Sequence, residues 1–181
     1  MNLQTARLLL RNLKESDLRD FLEYRSDPEV CRFQGYEPFT EEQGRKYIAN
    51  LKERKFGAAG KWIQLGIELK GENKLVGDIG LKPDAGEPRI AEFGISLSRQ
   101  YQGNGYAKEA LTEVFDFLFS QAGIHRIIGI VDVENSGVIR LVEKLNFRRE
   151  AAFVASFCDK GIWRDEYLYA MLASDWKSNL K

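Results

Sequence analysis

The apolar positions of the chain follow two periods. Segments 7–13, 62–69, 75–81 and 91–97 are short runs rich in branched and aromatic residues, bounded by turn residues such as Gly71-Glu72-Asn73. They predict strands. The last three are joined by connections too short for a crossover helix, which implies an antiparallel meander. From residue 106 to 122 the spacing changes. Ala107, Ala110, Leu111, Val114, Phe115 and Leu118 make one stripe at helical period. A strand (126–133), a helix (136–145), a strand (147–157) and a last strand (166–172) follow.

Two further helices come from capping signals. Ser16 is read as the N-cap of a short amphipathic helix to about residue 25, stopped by Asp27-Pro28. Thr40 with Gln43 is a capping box that opens a helix to about residue 54, before a loop at 55–61. Antiparallel strands first, then a strand–helix–strand–helix–strand tail, make one mixed α/β domain over residues 1–181. No repeat, low-complexity run or linker divides it.

Composition narrows the function. The chain has 181 residues, 44% of them apolar, so it can bury a sizeable core. Twenty-seven basic residues balance twenty-seven acidic ones. Nucleic-acid and membrane partners are therefore not expected, and any anion must be held by local geometry. Cys31 and Cys158 match no ligand spacing, and with one histidine in the chain no metal is expected. Both thiols are read as reduced and partly buried. The N-terminus has only a three-residue apolar run before Arg11, unlike a signal peptide, and a cytoplasmic location is expected.

The candidate chemistry lies at Gln100-Tyr101-Gln102-Gly103-Asn104-Gly105, between a predicted strand and a predicted helix. A helix N-terminus leaves about four N–H groups without partners and carries roughly half a positive charge. Residues without a Cβ let an anion reach them. The Walker pattern is absent, and the dinucleotide pattern fails because Lys108 stands where a third small residue is needed. A plain tight turn into a helix explains the two glycines equally well.

The spacing Gln-x-x-Gly-x-Gly followed by Tyr106-Ala107-x-Glu109-Ala110 resembles the acetyl-CoA pyrophosphate loop of the GNAT N-acetyltransferase superfamily. Five other stretches agree with its RimJ/RimL-like branch, in order. They are Thr5-Ala6-Arg7-Leu8-Leu9-Leu10-Arg11, Ser26-Asp27-Pro28-Glu29-Val30, Ala91-Glu92-Phe93-Gly94-Ile95, Asn135 with the segment 140–147, and Asp165-Glu166-Tyr167-Leu168-Tyr169 before Asp175-Trp176. The family's Ser three residues after the Asn is Val138 here, and its Gly before the Phe is Asn146, a residue that tolerates positive φ.

The resemblance implies a mixed, largely antiparallel sheet of six to seven strands with helices on both faces. It implies acetyl-CoA as cosubstrate and transfer to a primary amine in a ternary complex. Acceptors in that branch are protein N-terminal α-amines. A small amine such as a polyamine or aminoglycoside, or a non-catalytic acyl-CoA sensor, are the alternatives. Homodimerisation, common in that branch, is a further expectation.

Carried onto this chain, the resemblance gives Ile95 and Leu97 as backbone partners of pantetheine, although both are equally explained as core. Gln100, Gly103, Asn104, Gly105, Tyr106 and Ala107 would wrap the pyrophosphate. Asn135 would meet pantetheine, or cap the helix after it. Arg140 and Lys144 would face the 3′-phosphate, or be solvated helix charge. Glu92 is the candidate general base, because a carboxylate shielded from water there is a stronger base. Pairing with an arginine that only orders the sheet is its other reading. From the residues themselves, Phe33, Gln34, Tyr36, Trp163, Arg164 and Tyr167 are candidate acceptor-pocket residues, with core packing the commoner reading of most of them taken singly, and His125 is read as structural.

Overall fold

The computed structural model describes residues 1–51 and 56–179. The strands are β1 (Leu3–Gln4), β2 (Leu8–Asn12), β3 (Ile63–Leu69), β4 (Lys74–Pro83), β5 (Ile90–Leu97), β6 (Arg126–Asp132), β7 (Arg148–Asp159) and β8 (Ile162–Leu172). The helices are α1 (Leu18–Arg25), α2 (Pro28–Cys31), α3 (Glu41–Leu51), α4 (Tyr106–Ser120), α5 (Ser136–Lys144) and α6 (Ala173–Asn179). One eight-stranded sheet runs β1-β2-β3-β4-β5-β6-β8-β7. All its pairs are antiparallel except β5–β6, the two strands joined through α4. A parallel pair needs such a crossover, which is why the helical period interrupts the strands there.

Helices cover both faces. The main core joins α4 to the sheet through Leu111, Val114, Phe115 and Leu118, all fully buried. Phe93, Phe115, Phe147 and Trp176 form a ring cluster with centroids 5.0–6.0 Å apart. A smaller core under α1 and α3 holds Phe21, Tyr24, Ile48 and Leu51. Asp78 and Ile79 show the division: Ile79 joins the main core, whereas Asp78 turns to α1 and pairs with the buried Arg25.

Several expectations change in detail. Ser16 caps nothing; a 3₁₀ turn, Glu15–Asp17, precedes α1, and its start is fixed by Asp17, which accepts from Lys14 N at 2.7 Å and pairs with buried Arg11. The Thr40–Gln43 capping box forms, with reciprocal bonds of 2.8 and 3.3 Å. The expected end of that helix near Arg54 lies outside the described residues. Asp27-Pro28 ends α1 and also opens α2, where Asp27 accepts from Glu29 N. β8 starts earlier than its apolar pattern, at Ile162, because Lys160 (φ 51°) and Gly161 (φ 81°) make a tight hairpin turn. Eight strands replace the expected six to seven. Cys31 is buried, but Cys158 is exposed, contrary to the expectation of partial burial; both are free thiols. Asn146 has φ 60°, as its replacement of glycine requires.

Candidate functional site

The site begins where two neighbouring strands part. The β5–β6 ladder pairs only Ile90–Glu92 with Arg126–Ile128. From Phe93 to Leu97, β5 keeps β4 on one side and has no strand on the other. Ser98 N donates to Val76 O, so the backbone groups of Ser98, Ser96 and Gly94 face β4. Those of Leu97, Ile95 and Phe93, by alternation, face the opening. Side-chain amides take two of these carbonyls: Gln34 Nε2 donates to Ile95 O at 3.1 Å and Gln102 Nε2 to Leu97 O at 2.9 Å.

Beyond the open edge, the chain turns through Gly103 (φ 78°) and Gly105 (φ 81°) into α4. Both angles lie in the left-handed region that favours glycine. An added Cβ at Gly103 would meet nothing within 4 Å, so the loop is open on that side. A fork from behind holds the turn. Glu109 of α4 accepts from Arg7 Nε at 2.6 Å, Arg7 N at 3.0 Å and Thr5 Oγ1 at 2.5 Å. Arg7 Nη1 donates to Asn104 O at 3.1 Å, and its guanidinium stacks 4.4 Å from the Tyr106 ring centroid. Burial disfavours the Glu109 carboxylate, but the hydrogen bonds from Thr5 and Arg7 outweigh it and hold its pKa below the ordinary value.

A groove of about 710 Å³ runs from the open edge of β5 past this loop to α5. Of the residues expected at a cofactor, Ile95, Leu97, Gly103, Gly105, Tyr106, Ala107 and Asn135 line it, as do Arg140 and Lys144. Gln100 and Asn104 do not. Gln100 sits on an exposed 3₁₀ turn, and Asn104 is turned towards Arg7 and Gln102. Gln102, the unremarked glutamine of the motif, lines the groove instead; its amide reaching Leu97 O left no pattern in the sequence. Asn135 serves both of its readings, since it caps α5 through Val138 N at 3.2 Å and also lines the groove.

A second cavity, of about 590 Å³, lies on the other side of the same edge. Glu92, Gly94 and Ser96 of β5 form one wall, and Asp132, Asp159, Arg164 and Glu166 of β6, β7 and β8 form another. Five carboxylates line it against three guanidiniums. Phe33, Gln34, Tyr36 and Arg164, expected at an acceptor, are there; Trp163 and Tyr167 are not. Trp163 is 64% exposed. At the floor, Arg25 pairs with Asp78 at 2.5 Å beneath the Tyr36 ring. Burial pushes the Tyr36 phenol well up, although Arg25 opposes it. His125 lines neither cavity, and its backbone ties Arg89 to Ala173.

Glu92 stands on the cavity face, as the strand alternation requires, but it is not the shielded, unpaired carboxylate expected. Lys82 Nζ lies 2.5 Å from its Oε2 and 4.8 Å from the Trp62 ring centroid. The partner is a lysine on the neighbouring strand, not the arginine of the other reading, because the β4–β5 register sets Lys82 opposite Glu92, and the contact is to Oε2. Among the described residues no cluster of histidine, cysteine or carboxylate side chains could hold a metal ion. No helix among them is long and apolar enough to cross a membrane.

The groove and the cavity share Arg32, Phe33, Gln34, Ile95 and Ser96. A molecule in one can thus meet a molecule in the other at the open edge of β5. Comparison with known proteins places the chain in a family. Residues 7–148 match the model of the acetyltransferase (GNAT) domain family. The chain is 32% identical over 176 residues to the uncharacterized N-acetyltransferase YnaD of Bacillus subtilis, covering 97% of this chain and 99% of that protein. It is 30% identical over 161 residues to the spermidine N(1)-acetyltransferase of Escherichia coli K12, covering 86% and 81%. The crystal structure of a GNAT-family acetyltransferase from Bacillus anthracis superposes with a TM-score of 0.87 at 32% identity, covering 96% and 99%. The chain belongs to the GNAT family and is an acetyl-CoA-dependent N-acetyltransferase.

Proposed function

We propose that acetyl-CoA lies in the groove and that a small cationic amine of the polyamine class enters the second cavity. The observation that carries this reading is the junction at Ile95 and Ser96, where a glycine turn at a helix N-terminus meets a wall with more carboxylates than guanidiniums. The pyrophosphate would rest on Gly103, Gly105, Tyr106 and Ala107, where α4 offers unpaired N–H groups and its positive end. The pantetheine amides would run along Ile95 and Leu97 with Asn135 opposite, and Arg140 and Lys144 would meet the remaining phosphate. The spermidine acetyltransferase among the relatives supports this acceptor class.

The chemistry follows from that placement. A polyamine nitrogen has a pKa of about 10 and enters protonated. Glu92, through Oε1 or one water, takes the proton, and Lys82 fixes its other oxygen. The free amine attacks the thioester carbonyl, whose oxygen meets the outward N–H of Ile95. The C–S bond then breaks. The attacking nitrogen loses its second proton to water as the amide forms, and the departing thiolate takes one from water, since Val138 has none to give. Asp132, Asp159 and Glu166, on the wall formed by β6, β7 and β8, hold a second ammonium of the acceptor.

A protein N-terminus, the acceptor of the RimJ/RimL-like branch, is the second reading. The exposed Phe157, Ile162 and Trp163 of the β7–β8 hairpin favour it, because a peptide could lie on them. A panel of spermidine, monoamines and N-terminal peptides, read by thiol release from acetyl-CoA, separates the two. Spermidine is expected to give the highest kcat/KM, and preference for a peptide would replace the first reading by the second.

A further inference from the structure

The segment 32–36 crosses the opening between β5 and β6 and walls both cavities. Arg32 Nη2 reaches Glu134 Oε2 at 3.2 Å on the far side of the groove. Gln34 Nε2 donates to Ile95 O at 3.1 Å on the near side, and Tyr36 Oη lies 3.3 Å from Ser96 Oγ. Gly35 has φ 65°, and a Cβ there would stand 3.2 Å from the Phe157 ring, so this segment is wedged against β7. Of these ties, the one from Gln34 occupies a backbone acceptor that a ligand needs. The Ile95 carbonyl lies on the part of β5 without a strand partner, and a carboxamide N–H is the same kind of donor as the secondary amide of a pantetheine chain.

We propose that Gln34 is a positioning residue that holds the Ile95 carbonyl in the free enzyme and is displaced by the cofactor's amide chain. The proposal rests on the reading that acetyl-CoA runs along β5. Every binding event then breaks one neutral hydrogen bond, and Gln34 lets go of β5 only when the cofactor is seated, while Tyr36 stays beside Ser96. A residue that merely fastens this loop would weaken cofactor binding when removed. A placeholder does the reverse.

The test is calorimetric titration of CoA into the wild type, Gln34→Ala and Gln34→Met, the second variant keeping the bulk without the donor. Adenosine 3′,5′-bisphosphate, which lacks the pantetheine arm, is titrated in parallel. Both variants are expected to bind CoA about three- to tenfold more tightly, the range of one net hydrogen bond. Their affinity for the bisphosphate is expected to stay as in the wild type. Unchanged or weaker CoA binding, or equal tightening of both ligands, overturns the proposal. The underlying reading is tested separately by Arg140→Glu with Lys144→Glu, exposed charge reversals in the groove. If CoA binding survives them unchanged, the groove assignment itself fails.

Discussion

Arg7 and Glu109, 102 positions apart, form a fork that ties the first long strand to the opening turn of α4, with Nε 2.6 Å from Oε2. Because Arg7 also holds Asn104 O and stacks on Tyr106, it sets the shape of the glycine turn without lining the groove. Arg7→Ala should raise the KM for acetyl-CoA roughly tenfold, about 1.4 kcal/mol, and leave the acceptor KM unchanged. Arg7→Lys should recover only part of this, since an ammonium cannot make the fork. Steady-state kinetics with each substrate varied in turn provides the check.

The wall of carboxylates on β6, β7 and β8 should act on the acceptor alone. Asp132→Asn and Glu166→Gln should each raise the KM for spermidine about tenfold, with the KM for acetyl-CoA unmoved. The wild-type KM for spermidine should rise with salt, because charges at a solvent-connected wall are screened over a Debye length of about 8 Å at physiological ionic strength. A KM insensitive to both substitutions and salt would remove the polyamine class.

The Arg25–Asp78 pair is deeply buried, with Tyr24 Oη donating to Asp78 Oδ2 at 2.5 Å. Burial disfavours the guanidinium, but Asp78 outweighs it and holds the Arg25 pKa well above its usual value. Asp78→Ala leaves that charge unpaired among rings and should cost about 3–5 kcal/mol, a melting-temperature drop on the order of 10 °C. Replacing both partners, as Arg25→Met with Asp78→Leu, should cost much less. Calorimetric melting of the two variants distinguishes these outcomes.

Acid stability should depend on Glu150. Hydrogen bonds from Arg126 and then Arg148 lower its pKa from 4.5 to about 2. A carboxylate lowered in the folded state stabilises fully above its unfolded value and loses that contribution as pH falls through the folded one. The melting temperature should therefore fall between pH 4.5 and about 2. Glu150→Gln should be less stable at neutral pH and show a shallower fall in that window.

What the sequence revealed and what it hid divide along physical lines. The α4 stripe, the Thr40–Gln43 box and the positive φ at Asn146 were legible because each depends on residues within a few positions. The early start of β8 was also local, written in Lys160-Gly161, but the apolar pattern drew attention to the later residues. Ser16 misled because the helix start is fixed by Asp17, whose partner Arg11 sits on a strand. The groove followed the glycine motif, yet Gln102 replaced Gln100 there, since only the fold shows which glutamine reaches Leu97 O. The Lys82–Glu92 pairing depends on the β4–β5 register, which sets those two residues side by side.

The central claim is amine acetylation at the junction of the two cavities, with Glu92 removing the proton. The most direct measurement is thiol release from acetyl-CoA with spermidine, comparing the wild type with Glu92→Gln across pH. Release that depends on spermidine, with kcat about 10²-fold lower in the variant and recovering towards high pH where free amine becomes abundant, is the predicted result. Turnover equal in both proteins at every pH would contradict the role of Glu92. Acetyl-CoA binding without release to any amine would contradict the proposed acceptor site.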